Sequence, residues 1–137
     1  MGLDSGLIIK PNTERAYNFL KKNFPSLQWH CFEFYWEFAY WRKCWNIRRR
    51  FFEFDYAKDS DEQKIAISEL PIVLNEVIKY FLIEENWDER DSIWSYNEIK
   101  PLLKRQIHDI QRFLDLLEKE TEKFSEDDFE IFFYDSY

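Results

Sequence analysis

The chain has 137 residues, of which 45% are hydrophobic, 34% charged and 20% aromatic, with only 2 Gly and 4 Pro. This composition indicates one globular domain over residues 1–137 and excludes collagen-like, low-complexity and wholly disordered chains. The sequence contains no apolar run long enough for a membrane span, and its first ten residues lack the features of a secretory leader. We therefore expect a cytoplasmic protein without a membrane partner.

The charge is divided unevenly along the chain. The formal net charge is −8. Residues 1–52 carry 9 Lys/Arg against 4 Asp/Glu, a balance of +5, whereas residues 53–137 carry 10 against 23, a balance of −13. Nucleic-acid binders are usually basic, so we do not expect direct binding to nucleic acid. Two interpretations remain for the acidic half: solvated faces, or a surface that attracts a basic partner.

The chain has two cysteines, Cys31 and Cys44, and two histidines, His30 and His108. Their spacing does not match the short ligand spacings of zinc sites, so we predict neither a metal site nor a cofactor. A disulfide is not expected in the cytoplasm. We interpret Cys44 as a small apolar residue on a helix.

The first two predicted elements are a strand and a helix. Residues 3–10 predict a short strand, which Pro11 ends. Asn12 or Thr13 then caps a helix that continues to about Asn23.

Two aromatic segments follow. Residues 29–38 alternate with period 2, which predicts a half-buried strand. Residues 39–52 predict a helix, because apolar side chains recur there at helical spacing. The buried stripe of this helix would consist of Tyr40, Cys44, Ile47 and Phe51. The polar residues 55–64 predict a loop.

The second half predicts two helices and a terminal strand. Ser68 would cap a helix whose apolar stripe begins at Leu70 and ends at Phe81. A longer helix would start near Asn97, or earlier with a kink at Pro101, and continue to about residue 123. The tail returns to period 2 and predicts a strand beside the N-terminal one. The sequence therefore predicts an α+β domain, with a small sheet that includes both terminal strands and about four helices.

The segment at residues 40–52 combines five cations with aromatic residues in an otherwise acidic chain. Arginine binds carboxylate or phosphate in a forked geometry, and Trp or Tyr stacks on a base, so the segment predicts a pocket for an anionic ligand. The candidate ligand-binding residues are Tyr40, Trp41, Arg42, Lys43, Asn46 and Arg49. The alternative is that Trp41 and Trp45 belong to the core and the arginines pair with acidic residues.

Residues 84–94, which we call the acidic loop, contain two tryptophans among acidic residues. Aromatic anchors surrounded by charge are typical of protein interfaces. The candidate partner-binding residues are Glu84, Glu85, Trp87, Asp88, Glu89, Asp91 and Trp94. The alternative is that both tryptophans cap the core.

No nucleophile elbow, phosphate loop or dinucleotide-binding motif is present in the sequence. Glu33 and Glu37 share one face of the strand predicted at residues 29–38, which suggests a carboxylate pair, although a solvated strand face is the commoner meaning of such a pattern. We expect a protein that is not an enzyme.

Three segments resemble a family of small, mostly uncharacterised proteins of phages, prophages and other mobile elements. Members begin Met-Gly-Leu-Asp-Met-Tyr-Leu, carry Tyr-Trp-Arg-Lys-Ala-Asn followed by Ile-His and Trp-Phe, and end in an acidic, aromatic strand. Residues 1–4, 38–43 and 128–137 are similar to these motifs. Ser5-Gly6 replaces Met-Tyr, and Arg48 stands where the family has His. The resemblance implies a mobile-element origin and no catalytic residue.

These observations predict a non-enzymatic binding protein of phage or mobile-element origin. The leading hypothesis is an anti-CRISPR-like counter-defence inhibitor whose acidic surface binds a basic, nucleic-acid-handling host protein. The alternatives are a sponge-like module that binds a nucleotide signal through residues 40–49, and an immunity protein or antitoxin that neutralises a toxin. The excess of aromatic residues leaves a homodimer open.

Overall fold

A computed structural model describes residues 3–57 and 64–136. These residues form the α+β domain that the sequence predicts. The strands are β1 (Asp4–Pro11), β2 (Trp36–Arg42), β3 (Lys64–Ile65) and β4 (Phe129–Ser136). The helices are α1 (Glu14–Asn23), α2 (Trp45–Glu53), α3 (Leu70–Ile72) and α4 (Tyr96–Lys119). Residues 58–63, in the predicted loop, and the terminal residues 1, 2 and 137 lie outside the described part.

The described strands form one antiparallel sheet in the order β2-β1-β4-β3. The two terminal strands pair along their whole length, from Asp4 opposite Ser136 to Pro11 opposite Phe129. The prediction that the N-terminal and C-terminal strands are neighbours in the sheet is therefore confirmed. β2 lies at one edge of the sheet, and this edge borders the cavity described below.

Between Leu7 and Ile8 of β1, the paired strand β2 contains one extra residue, and this bulge shifts the register. Gly6 is opposite Tyr40, whereas Ile8 is opposite Glu37. Because Gly6 and Ile8 share one face of β1, this bulge puts Glu37 and Tyr40 on the same face of β2, although three positions separate them in the sequence.

The core is aromatic where α1 and α4 cover the sheet. Phe113 of α4 contacts the rings of Phe19, Phe24, Phe38 and Phe129 in tilted or edge-to-face arrangements. Such ring pairs add to the stabilisation that burial of the rings already provides. Of the two predicted candidates, Thr13 and not Asn12 caps α1, because its side chain accepts a hydrogen bond from the Ala16 N–H.

The structure corrects the predictions for residues 29–38 and 39–52. The strand begins only at Trp36, because the Trp29 N–H donates to the Tyr35 carbonyl and closes residues 29–35 into a loop. Phe32 and Phe34 lie on this loop and are exposed, whereas the alternating pattern placed them on a buried strand face.

The strand then continues through Arg42, and Lys43 turns the chain with φ of 52° before α2 begins at Trp45. Residues 39–42 therefore belong to a strand and not to the helix that the apolar spacing predicted. Val, Ile and aromatic residues favour strands, so an aromatic segment at helical spacing remains ambiguous without its partners.

Residues 67–82 form a mixed helix in which 3₁₀ (Ile67–Glu69), α (α3), π (Val73–Ile78) and 3₁₀ (Lys79–Leu82) turns follow one another. Its predicted apolar stripe is buried. The predicted cap at Ser68 is wrong. Instead, the Glu126 carboxylate accepts hydrogen bonds from the N–H groups of Ile67 and Ser68, so a residue distant in sequence satisfies the free donors of the first turn.

The long helix α4 starts at Tyr96, one residue before the predicted start. Ser95 and Glu98 form a capping box, in which each side chain accepts a hydrogen bond from the backbone N–H of the other. Pro101 lies inside the helix, where it removes one backbone hydrogen bond. Among the described helices, none combines the length and apolar character that crossing a membrane requires.

Candidate functional site

The candidate ligand residues at positions 40–49 do not form one pocket. Trp41 is fully buried, contacts Phe51 and Phe133, and donates its Nε1–H to Gln106 Oε1 at 2.8 Å. Lys43 occupies the turn after β2, with its backbone N–H bonded to the Leu3 carbonyl. The assignment of Trp41 to a ligand pocket is therefore wrong, and its interpretation as a core residue is confirmed.

Asn46 and Arg49 of α2 contact the acidic loop. Asn46 is buried and donates its Nδ2–H to the Asp88 carbonyl at 3.0 Å. Arg49 Nη1 lies 2.7 Å from Asp91 Oδ2, and hydrogen bonding to this carboxylate raises the pKa of the guanidinium. These two candidate ligand residues and two candidate partner residues therefore belong to one internal contact.

The two tryptophans of the acidic loop are also used within the fold. Trp87 is buried against Phe81 and donates its Nε1–H to the Trp94 carbonyl. Trp94 is half-buried and donates its own Nε1–H to the Arg42 carbonyl at 3.1 Å. The prediction that Trp87 anchors a partner is therefore wrong, because its indole fills the core.

The carboxylates of the acidic loop divide into fixed and free groups. Asp88 pairs with Arg90 and caps the short turn at Glu89–Asp91, and these hydrogen bonds lower the pKa of Asp88. Glu89 accepts a hydrogen bond from the Tyr96 N–H. The exposed side chains of Glu84 and Glu85 form no hydrogen bond or ion pair with the residues that the structure describes.

Two exposed isoleucines accompany these free carboxylates. Ile83 directly precedes Glu84 and is 56% exposed, and Ile93 near the end of the loop is 55% exposed. The sequence analysis did not single out either residue. A large apolar residue within a charged segment could have indicated an exposed contact residue. The neighbouring tryptophans were chosen instead because they are larger.

The open edge of β2 borders a groove of about 740 Å³. Loop residues 26–29, β2, Trp94 and one face of α4 form its walls. Its charged and aromatic lining residues are Trp29, Glu37, Phe38, Tyr40, Arg42, Trp94, Arg105 and Asp109. Three candidate residues, Tyr40, Arg42 and Trp94, thus meet here, although the sequence analysis assigned them to two separate sites.

Arg42 and Arg105 differ from the other arginines of the chain. Neither forms a hydrogen bond or an ion pair with any residue in the ranges 3–57 and 64–136, and both line the groove. The other arginines have partners within the fold, as in the pairs of Arg48 with Asp135 and of Arg50 with Glu53. Arg105 was not singled out from the sequence, because one exposed cation among several on a long helix has no distinguishing pattern.

Glu37 is the most constrained carboxylate of the groove. Its Oε2 accepts hydrogen bonds from Trp29 Nε1 at 2.9 Å and from the Tyr134 hydroxyl at 3.3 Å. Burial nevertheless raises the pKa of Glu37, and the two hydrogen bonds oppose that shift. Glu33, the other half of the suggested carboxylate pair, lies exposed on the loop before β2.

The cysteines and acidic residues do not form a recognisable metal centre. In the part of the chain that the structure describes, no three His, Cys, Asp or Glu side chains converge as metal ligands. Cys31 is exposed and Cys44 is buried, and burial raises the pKa of the Cys44 thiol to about 11. Cys44 directly precedes α2, so its predicted place on a helix is wrong by one residue, whereas its burial agrees with the prediction.

In comparisons with known proteins, the chain matches no family model, no curated protein and no solved structure. The functional inference therefore depends on the geometry of the acidic loop and the groove.

Proposed function

We propose that this protein is a non-enzymatic binding protein of phage or mobile-element origin, which inhibits a basic, nucleic-acid-handling host protein in the manner of an anti-CRISPR. The observation that carries this proposal is the pair of exposed carboxylates at Glu84 and Glu85, which have no partner among the described residues. The family resemblance at residues 1–4, 38–43 and 128–137 supports the proposed origin.

The cations of α2 do not compensate the charges of Glu84 and Glu85. Arg48, Arg49 and Arg50 pair within the fold with Asp135, Asp91 and Glu53. Glu84 and Glu85 therefore face solvent without a compensating cation. Unpaired surface charge of one sign increases the rate of encounter with a partner of the opposite sign.

Exposed apolar residues occur at both ends of the acidic loop: Ile83 directly precedes Glu84, and Ile93 lies near the end of the loop. Ile83 and Ile93 each expose more than half of their area. Isolated surface hydrophobes are ordinary, but an apolar side chain next to unpaired charge gives an interface both a contact that excludes water and a contact that orients the partner. We assign the anchoring role to the isoleucines, in place of the tryptophans that the sequence suggested.

The scaffold holds this surface in a fixed shape. Asn86 donates its Nδ2–H to the Tyr80 carbonyl, and Trp87 fills the core beneath the loop. A loop that is ordered before binding loses less conformational entropy on association than a flexible one. A small protein can therefore bind tightly through a short segment.

The proposal is tested by affinity capture from host lysate with three tagged baits: the wild type, a Glu84→Lys/Glu85→Lys variant and a Glu118→Lys/Glu122→Lys variant. The two variants change the net charge equally, and the control positions lie exposed at the far end of the chain, away from the acidic loop. We expect the wild type and the control to recover one basic protein that binds nucleic acid, and the loop variant to lose it.

Circular dichroism and thermal unfolding of all three baits establish that each is folded. Equal recovery of the partner by the loop variant would contradict the assigned surface. Recovery of a protein that does not handle nucleic acid, or of no dominant protein, would contradict the proposed function.

A further inference from the structure

We propose that the groove along the β2 edge binds a mononucleotide, with its phosphate held by Arg42 and Arg105 and its base held among the aromatic side chains. This site is separate from the acidic loop surface that the proposed function uses. It also differs from the pocket that the sequence predicted, because Asn46 and Arg49 are engaged elsewhere and Arg105 takes part.

Two arginines of the groove have no partner within the described part of the chain. Arg42 from the sheet edge and Arg105 from α4 line the same groove, and neither side chain has a hydrogen-bonding or ion-pairing partner in the described ranges. Elsewhere the fold supplies carboxylates or carbonyl oxygens to its arginines, as Asp91 does for Arg49. Two guanidinium groups that line one groove and have no partner in the described ranges match the several oxygens of a phosphate.

Hydrogen bonds hold the aromatic side chains of the groove in place. Trp29 donates its Nε1–H to Glu37, Trp94 donates its Nε1–H to the Arg42 carbonyl, and the Tyr40 hydroxyl donates to Asp4 Oδ1 at 2.9 Å. All three rings are therefore held by their polar atoms, and all three residues line the groove. Stacking of a base on such a ring contributes about 1–3 kcal/mol.

The groove lining also contains two carboxylates. Glu37 and Asp109 balance Arg42 and Arg105 in formal charge. A simple inorganic anion would gain little from such a site. A nucleotide presents a phosphate to the arginines, and amino groups of its base can donate to a carboxylate, as cytosine does in protein contacts with nucleic acid.

Size and overall charge restrict the ligand further. A volume of about 740 Å³ falls within the usual range of small-molecule sites, roughly 300–1,000 Å³. The net charge of −8 opposes a long polyanion, whereas a single phosphate between two arginines experiences a local attraction. The site therefore favours a mononucleotide over an RNA or DNA strand.

The test is isothermal titration of the wild-type protein with four kinds of probe. These are 5′-mononucleotides of amino-bearing bases (AMP, GMP and CMP), inorganic phosphate, the unphosphorylated nucleosides, and an eight-nucleotide RNA. We expect at least one mononucleotide to bind at least tenfold more tightly than phosphate or its own nucleoside. The absence of mononucleotide binding up to millimolar concentration would overturn the proposal, and tighter binding of the RNA would overturn the choice of ligand.

Variants locate the site. Arg42→Gln and Arg105→Gln are each expected to weaken mononucleotide binding by about tenfold or more, because each removes a charged contact to the phosphate. Arg90→Gln makes the same charge change at an exposed position outside the groove. Equal weakening by Arg90→Gln would overturn the assignment to the groove.

The Glu84→Lys/Glu85→Lys variant separates this inference from the proposed function. We expect it to bind the mononucleotide as the wild type does, even where it loses the protein partner. Loss of nucleotide binding in this folded variant would contradict a site located in the groove.

Discussion

Arg49 Nη1 lies 2.7 Å from Asp91 Oδ2, and this ion pair joins two segments that the sequence suggested as separate binding sites. The pair fixes the acidic loop to α2 together with the hydrogen bond from Asn46 to the Asp88 carbonyl. It also shows why charge reversal at Asp91 is a poor test of partner binding, since such a variant would disturb the scaffold. Glu84 and Glu85 are better positions.

The Arg49–Asp91 pair is expected to contribute little to stability. The Arg49 side chain is 59% exposed, so water and salt screen the attraction. A double-mutant cycle with Arg49→Gln and Asp91→Asn, measured by urea unfolding, is expected to give a coupling of about 1 kcal/mol or less that shrinks in high salt. A coupling that is larger and independent of salt would contradict this account.

The buried hydrogen bond between Trp41 and Gln106 is expected to be costly to break from one side. Trp41→Phe leaves Gln106 Oε1 without its donor in the core, which we expect to lower the free energy of unfolding by about 1–3 kcal/mol. Replacing both partners, in Trp41→Phe/Gln106→Leu, is expected to cost less than the sum of the single changes. Gln111→Leu at an exposed position of α4 is the control and is expected to stay within about 0.5 kcal/mol of the wild type. The prediction would be contradicted if the loss of unfolding free energy in the double variant equalled the sum of the losses in the two single variants.

Because the pKa of Glu37 is raised, we expect its contribution to the free energy of unfolding to depend on pH. Burial raises its pKa above the ordinary value of 4.5, so the folded state binds the proton more strongly than the unfolded state. The contribution of Glu37 is therefore greatest at low pH and is lost as the pH rises through the raised pKa. Glu37→Gln keeps an oxygen acceptor for Trp29 and removes this ionisation.

We expect the free energy of unfolding of Glu37→Gln, relative to the wild type, to increase between pH 4 and pH 7. Urea unfolding at both pH values measures this difference. If the free energy of unfolding of the variant, relative to the wild type, falls between pH 4 and pH 7, the account is contradicted. The hydrogen bonds from Trp29 and Tyr134 would then outweigh the desolvation of the Glu37 carboxylate.

Gly6 is expected to tolerate no side chain. A Cβ atom at this position would overlap the Tyr134 ring and would approach the Ala39 carbonyl oxygen to 2.7 Å, and this oxygen belongs to the paired strand. We expect Gly6→Ala to lower the free energy of unfolding by about 1–3 kcal/mol. Ser5→Ala in the next position removes only a hydroxyl and serves as the matched control in thermal unfolding. Equal stability of Gly6→Ala and the wild type would contradict the observed register.

Sequence patterns correctly predicted those elements that depend on contacts between residues close in sequence. The Thr13 cap, the Ser95–Glu98 capping box and the period-2 tail each specify one structure through contacts a few residues apart. The pairing of the two terminal strands also followed, because an ordered aromatic terminus needs a sheet to cover it.

Within residues 29–52, the strand at 36–38 and the helix from residue 45 onward agree with the prediction, whereas 29–35 and 39–44 were predicted wrongly because their structure depends on distant contacts. Trp41 is in a strand since β1 supplies its backbone partners and Gln106 supplies its indole acceptor. The cap of the mixed helix comes from Glu126, which no local pattern around Ser68 reveals.

The sequence predicted which types of residue form the candidate sites, but it did not predict how these residues are arranged in space. Aromatic residues and arginines do meet in a groove, but Arg105 reaches it from α4, about sixty positions beyond Arg42 in the sequence. The acidic loop was predicted correctly as a charged segment, yet the burial of Trp87 depends on Phe81 and could not be read from the loop alone.

The most direct test of the proposed function is competition for nucleic acid on the captured host protein. A labelled oligonucleotide bound to that protein is titrated with the wild type, with Glu84→Lys/Glu85→Lys and with Glu118→Lys/Glu122→Lys. We predict that the wild type and the control displace the oligonucleotide at about equimolar concentration, and that the loop variant does not. Displacement by all three proteins alike, or by none of them, would contradict inhibition through the acidic loop.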